Sequence, residues 1–253
     1  MLPSRPQDIV ADIALCLAFY TRLPVSVSGE RSFAGAQWAA PIVGLAVGLV
    51  GGFVFFAADF FGLPATIAAA LAIASTLAVT GALHEDGLSD TADGFGGGKT
   101  PERKLEIMRD SRIGTFGAAA LVFSILLRWS ALAAIASPWL VFCTLIAAHA
   151  AGRAMMPLFL WAVAPARTDG LAANVGAIPD VAVYLAGAIA AVLLLLTLGF
   201  TATVLSAVAL GLLFFVMRRL CERQIGGQTG DVLGAVEQLS EIAVLLIACA
   251  IFT

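Results

Sequence analysis

Four carboxylates, Glu85, Asp86, Asp90 and Asp93, crowd into nine residues of the stretch GALHEDGLSDTADGFGGGKT (81–100). They follow directly on residues 65–83, which contain no charged side chain. On a helix continuing from that apolar run, Asp86, Asp90 and Asp93 stand at i, i+4 and i+7, within about 60° of one another. Three carboxylates on one stripe repel each other unless a cation sits among them. The plain alternative is a solvated helix end or an acidic cap. A cap uses one acid at a helix N-terminus, whereas these are expected near a C-terminal end, where the macrodipole disfavours negative charge. An all-oxygen donor set suits Mg²⁺ or Mn²⁺. Glu85, Asp86, Asp90 and Asp93 are therefore the expected metal shell. His84 is one of only two histidines, so zinc is not expected. Gly87 and Gly94 leave room for a bulky substrate to approach the backbone.

The next stretch, FGGGKTPERKLEIMRDSRIGTFG, supplies the counter-charges. Gly96, Gly97 and Gly98 read as a mobile substrate-binding loop, although they match neither the P-loop nor the GxGxxG pattern. Thr100 and Pro101 open a short helix, Thr as cap and Pro at its first position. Leu105 and Met108 give that helix an apolar side for the membrane surface. Asp110 adds a fifth acid to the metal set, and Lys104, Arg109 and Arg112 are the phosphate contacts. Carboxylates for a metal and cations for phosphate within one loop, 84–114, point to a diphosphate held through Mg²⁺.

A second polar segment, CERQIGGQTGDVLGAVEQLSE (221–241), precedes and enters the last apolar run. Thr229, Gly230 and Asp231 lie in a glycine-rich turn that reads either as substrate-binding or as a simple cap. Glu237 and Glu241 are functional candidates because ionisable groups inside a membrane are costly. Their plain reading is pairing with Arg153 or Arg128. His149 and Arg153, at i and i+4, read as intramembrane polar bridging.

These groups must be positioned by a helical membrane protein. Of 253 residues, 60% are hydrophobic and 12% charged, with a mean hydropathy of +0.98. That charged share is about half of what soluble domains carry. The apolar runs are continuous rather than alternating, which excludes a barrel. Spans are expected at about 35–61, 65–83, 115–136, 138–164, 181–199, 201–217 and 232–253, seven crossings of roughly 20 residues each. Tight turns separate several of them, at Gly62–Pro64, at Ser137–Pro138 and in a hairpin at 199–203. Residues 8–20 carry Asp8 and Asp12 and read as an interfacial or re-entrant helix, with an eighth span as the alternative.

With loop 84–114 placed in the cytoplasm, Arg5, Arg22, Arg31, Lys99, Arg103, Lys104, Arg109, Arg112, Arg167, Arg218, Arg219 and Arg223 all fall inside. These are twelve of the fourteen basic residues, as the positive-inside rule expects; Arg128 and Arg153 lie within spans. Trp139, Trp38 and Trp161 read as interface anchors. Gly44, Gly48 and Gly52 read as a close helix-packing face. Cys16, Cys143, Cys221 and Cys249 are scattered and read as packing residues, neither zinc ligands nor disulfides. No removed signal peptide is expected at the start. Nothing in the charge distribution suggests nucleic acid. The whole chain, 1–253, reads as one polytopic domain, with 84–114 and 218–231 as its two cytoplasmic polar loops.

The chain resembles the cobalamin synthase family, the adenosylcobinamide-GDP ribazoletransferases. The resemblance is carried by FYTRLP (19–24), PIVGLAVG (41–48), HEDGLSDTADGFGGG (84–98), LEIMRDSRIGTFG (105–117) and GGQTGDVLGA (226–235). Ser89 stands where Ala would be expected. The resemblance implies a Mg²⁺-dependent, multi-pass enzyme of the cytoplasmic (inner) membrane with its site facing the cytoplasm. It would join adenosylcobinamide-GDP to α-ribazole, or α-ribazole 5′-phosphate, and release GMP. Asp93 or Asp231 would then accept the hydroxyl proton. Implied partners are those two small molecules and membrane lipid, with a homo-oligomer or association with other cobalamin-assembly enzymes as further options. CDP-alcohol phosphotransferases are the nearest alternative, but no AR follows the DG here. Membrane prenyltransferases also place aspartates at helix ends. A transporter is a third alternative; few polar groups reach the outer side to serve one.

Overall fold

Inside a bilayer each backbone N–H and C=O must be satisfied within its own segment, so continuous apolar runs become helices. The computed structural model describes residues 5–27 and 31–253. Its first helix is α1 (Pro6–Tyr20), followed by the short α2 (Phe33–Ala36), which a 3₁₀ turn joins to α3 (Ala40–Phe60). Next come α4 (Ala65–Thr80), α5 (Leu83–Gly97), α6 (Pro101–Ile107) and α7 (Thr115–Ile135). The chain closes with α8 (Pro138–Ala162), α9 (Leu171–Asn174), α10 (Asp180–Ile225) and α11 (Gly230–Phe252). The fold is all-α. Among the described residues, five stretches are long and apolar enough to cross a membrane, six if the bent pair α4–α5 forms one broken span. Helix α10 has 46 residues and breaks at Gly199 (φ 78°, ψ 178°). Residues from both sides of that break, Tyr184 and Leu194 before it and Thr203 and Leu210 after it, line one cavity against Met155 and Leu158. Its two arms therefore fold back on each other, as the expected 199–203 hairpin requires.

The outer surface is that of a lipid-facing protein. Phe56, Phe60, Phe123, Leu196, Phe200 and Phe215 are exposed, while Arg128, His149, Arg153, Glu237 and Glu241 are buried. Helix α8 is the central column, with 83% of its most apolar window buried. Helix α3 lies against it at backbone distance. A Cβ on Gly48 would stand 2.6 Å from the Ile146 Cα, and one on Gly52 would meet the Phe142 ring. The glycine repeat is thus a packing face. A backbone atom cannot yield as a flexible side chain can, so Gly48→Val is expected to cost about 3 kcal/mol or more. The readout is the melting temperature of detergent-purified protein; an unchanged value would contradict the close approach.

Three local expectations are corrected. The acidic stretch does not continue the 65–83 helix. Gly81 (φ 66°) and Ala82 (φ 57°) are both left-handed, and α5 leaves α4 at 90°. Gly96 and Gly97 are not a loop; they form the last turn of α5, with Gly98 as its extended cap. A Cβ on Gly96 would run into the Phe116 ring at 2.6 Å, so helix packing requires a small residue there. Trp38 is not an interface anchor. It is buried, and its indole N–H donates to Asp12 at 2.9 Å. Asp12 also takes a two-point ion pair from Arg31 (2.6 and 2.7 Å), which ties α1 to the segment leading into α2. The four cysteines are free thiols.

Candidate active site

The 90° bend carries α5 away from α4 and across the first turn of α11. Gly87 of α5 meets the first turn of α11, where an added Cβ would lie 2.7 Å from the Asp231 carbonyl oxygen. This close crossing brings Asp86 and Asp90 beside Asp231, 141 residues later in the sequence for Asp90. Glu85 and Asp86 occupy the first turn of α5. The helix dipole therefore favours them, contrary to the expected C-terminal placement. Asp90 stands among the like charges of Asp86, Asp231 and Asp93.

Two of the expected metal ligands are otherwise engaged. Glu85 receives a 2.9 Å ion pair from the buried Arg128. Asp93 accepts from the backbone N–H groups of Gly114 (2.7 Å) and Gly117 (2.8 Å), and so caps the N-terminus of α7. Asp86 and Asp90, with Asp231, line the cavities beside the crossing of α5 and α11. Their oxygens do not close on a single point. Among the described residues, the one group of three His, Cys, Asp or Glu side chains with ligand atoms converging within 4.8 Å is His149, Glu237 and Glu241.

The basic rim lies beside these acids. A cavity of about 450 Å³ is lined by Asp86, Asp90, Arg109, Asp110 and Arg112. Asp110 holds Arg112 through two contacts, 3.0 Å to Nε and 2.6 Å to Nη2. Those hydrogen bonds lower the Asp110 carboxyl to about 2 and raise Arg112. Asp110 is thus a partner of the rim rather than a member of the acid cluster. Arg109 reaches both oxygens of Asp169 at 2.7 Å. Lys104 bonds Gln224 near the C-terminal end of α10. Gly97 lines a neighbouring cavity with Asp93 and Phe116.

The second polar segment is fixed from the other side. Gln228 and Ala164–Ala166 exchange backbone hydrogen bonds (2.9 and 2.8 Å). Thr229 caps α11, its hydroxyl oxygen accepting from Val232 N at 3.3 Å and its O–H donating to Asp231 at 3.2 Å. Gly230 is the first residue of α11. Arg167 lies 3.7 Å from Asp231. The polar segment 163–170 is the element that sequence reasoning missed. Arg167 served there only to orient the chain, and Asp169 was not singled out. Their charges between two long apolar runs were the available signal.

Beneath the acids lies a buried ionic network. Arg153 binds Glu237 (2.7 Å) and Glu241 (3.1 Å). Arg128 reaches Glu241 at 3.6 Å as well as Glu85. His149 contacts Glu241 directly, and His84 lies 3.6 Å from Glu237. The plain reading of Glu237 and Glu241 as partners of Arg153 and Arg128 therefore holds. The network stitches α5, α7, α8 and α11 together directly below Asp86.

Fold and site together define a polytopic membrane protein with a carboxylate cluster and an arginine rim at one end of its bundle. The chain belongs to the Cobalamin-5-phosphate synthase family, which matches residues 12–249. It is 52% identical over 247 residues to the adenosylcobinamide-GDP ribazoletransferase of Bradyrhizobium diazoefficiens, covering 96% of this chain and 95% of that one. It is equally identical over 249 residues to the protein of that name from Mesorhizobium japonicum (98% and 96% covered). The Azorhizobium caulinodans protein of the same name is 47% identical over 254 residues, with 96% of each chain covered. No solved structure shows significant similarity to the chain.

Proposed function

We infer that this chain joins adenosylcobinamide-GDP to α-ribazole, or to α-ribazole 5′-phosphate, and releases GMP. The observation that carries this reading is the meeting of Asp86 and Asp90 with Asp231, beside a cavity rimmed by Arg109 and Arg112. A ribose hydroxyl of the acceptor attacks the phosphorus nearest the corrinoid. A new P–O bond forms, the bridging P–O bond to GMP breaks, and its electron pair leaves with GMP. Asp231 takes the hydroxyl proton, because both oxygens of Asp93 are committed to the start of α7. Arg109 and Arg112 hold the phosphates, whose planar, multi-donor recognition suits guanidinium.

The donor set fits a hard divalent ion. It is all oxygen and crowded with like charge, and it does not form a closed cage. Mg²⁺ characteristically takes one or two carboxylates together with substrate phosphates and water. Asp86 and Asp90 would hold Mg²⁺, which when bound neutralises charge on the diphosphate. The site faces the cytoplasm from the inner membrane, the side that the arginine and lysine bias assigns.

The test is purified protein in detergent with adenosylcobinamide-GDP and α-ribazole, in Mg²⁺ or in EDTA. GMP release with Mg²⁺ and none in EDTA is expected. No GMP under either condition would overturn the reading. Release without a sealed membrane separates a transferase from a transporter, and prenyl diphosphate in place of the corrinoid tests the prenyltransferase alternative.

A further inference from the structure

A second cavity, of about 190 Å³, shares Asp86 with the arginine-rimmed one. Its lining includes Phe19, Tyr20, Phe33, Met156 and Leu160 together with Asp86 and Asp231. The aromatic wall is continuous. Phe19 and Phe33 have ring centroids 4.4 Å apart, and Tyr20 stands 6.0 Å from His84. Asp86 is the one residue that lines both this cavity and the arginine-rimmed one.

We propose that this cavity is the acceptor subsite, which takes the flat aromatic base of the ribazole nucleoside and directs its ribose toward Asp86 and Asp231. The inference rests on the transferase reading above and adds where the acceptor sits. Sites for drug-sized ligands occupy roughly 300–1,000 Å³. A cavity of about 190 Å³ is too small for a corrinoid or a whole guanine nucleotide and suits a two-ring base. An aromatic and thioether lining offers faces and edges to such a ring. Its two acids are Asp86 and Asp231, to which a sugar hydroxyl can donate, and Asp86 also lines the arginine-rimmed cavity. A bisubstrate transfer needs two compartments that meet at the reacting atoms, and Asp86 marks that junction. Most of the apolar wall comes from α1, α2, α8 and α9, none of which carries Arg109 or Arg112, with Leu83 of α5 and Leu233 of α11 completing it.

The experiment compares full-length wild type with Ala172→Phe and Val175→Phe, which fill the cavity from its α9 side. Steady-state KM is measured for each substrate in turn. Both variants are expected to raise KM for α-ribazole about tenfold or more, a loss of about 1.4 kcal/mol, with KM for adenosylcobinamide-GDP within about twofold of wild type. An unchanged KM for α-ribazole, or an equal rise for both substrates, overturns the subsite. Hydrogen–deuterium exchange of wild type with α-ribazole alone gives an independent readout should either variant fail to fold. Slower exchange in 170–176 is expected, and none there overturns the proposal. Wild-type protein that releases no GMP would instead sink the transferase reading itself.

Discussion

Asp86→Asn lowers GMP release by about 10²-fold or more while the protein still inserts, expresses and elutes as wild type does. The substitution keeps the side chain's size and removes its charge. Asp86 stands in the first turn of α5 and lines both cavities, so one change weakens the proposed divalent site where the proposed donor and acceptor compartments meet. Loss of a preorganised electrostatic group at a reacting centre costs about 10²–10³ in rate. Asp90→Asn, one turn further along the same face, acts in the same direction. In both variants the Mg²⁺ concentration giving half-maximal rate rises. That shift distinguishes a metal ligand from a residue that merely shapes the helix. Wild-type turnover in both variants would remove the metal site from the mechanism.

Arg153→Met abolishes recovery of folded protein. Arg153 is 1% exposed and pairs with both Glu237 (2.7 Å) and Glu241 (3.1 Å). A buried pair has small net worth, because desolvation offsets attraction. Breaking it from one side strands the opposite charge, at about 3–5 kcal/mol. Here Glu237 is stranded at the junction of α8 and α11, facing His84 at 3.6 Å, while Glu241 keeps Arg128 and His149. The expected result is aggregated protein on size exclusion in detergent. Adding Glu237→Gln removes one stranded charge and partly restores the monodisperse peak. A stable, active Arg153→Met protein would show that Glu237 and Glu241 are neutral or hydrated in the native state.

Much of this protein is legible in its sequence because the bilayer imposes a strong constraint. The apolar runs at 35–61, 115–136, 138–164 and 232–253 all became helices, and Gly199 breaks the long run as its length demanded. The helix-packing role of Gly44, Gly48 and Gly52 was also readable, since small residues every fourth position form a groove on any helix. The acids could be found because charge at the end of an apolar run is expensive and therefore conspicuous. Their division of labour could not be found that way. Asp90 and Asp93 are neighbours on one helix face, yet Asp93 caps α7 while Asp90 faces the cavity.

Local spacing decided that this chain is a helical membrane protein with carboxylates and arginines gathered near one end. Tertiary structure alone decided which of those groups share a site. Two left-handed residues, Gly81 and Ala82, turn α5 by a right angle, and that turn sets Asp86 against Asp231 and leaves Glu85 pointing down to Arg128. Helical periodicity extends only as far as a helix remains unbroken. The pairing of segments far apart in the chain depends on bends and backbone-to-backbone packing, which spacing along one helix does not encode.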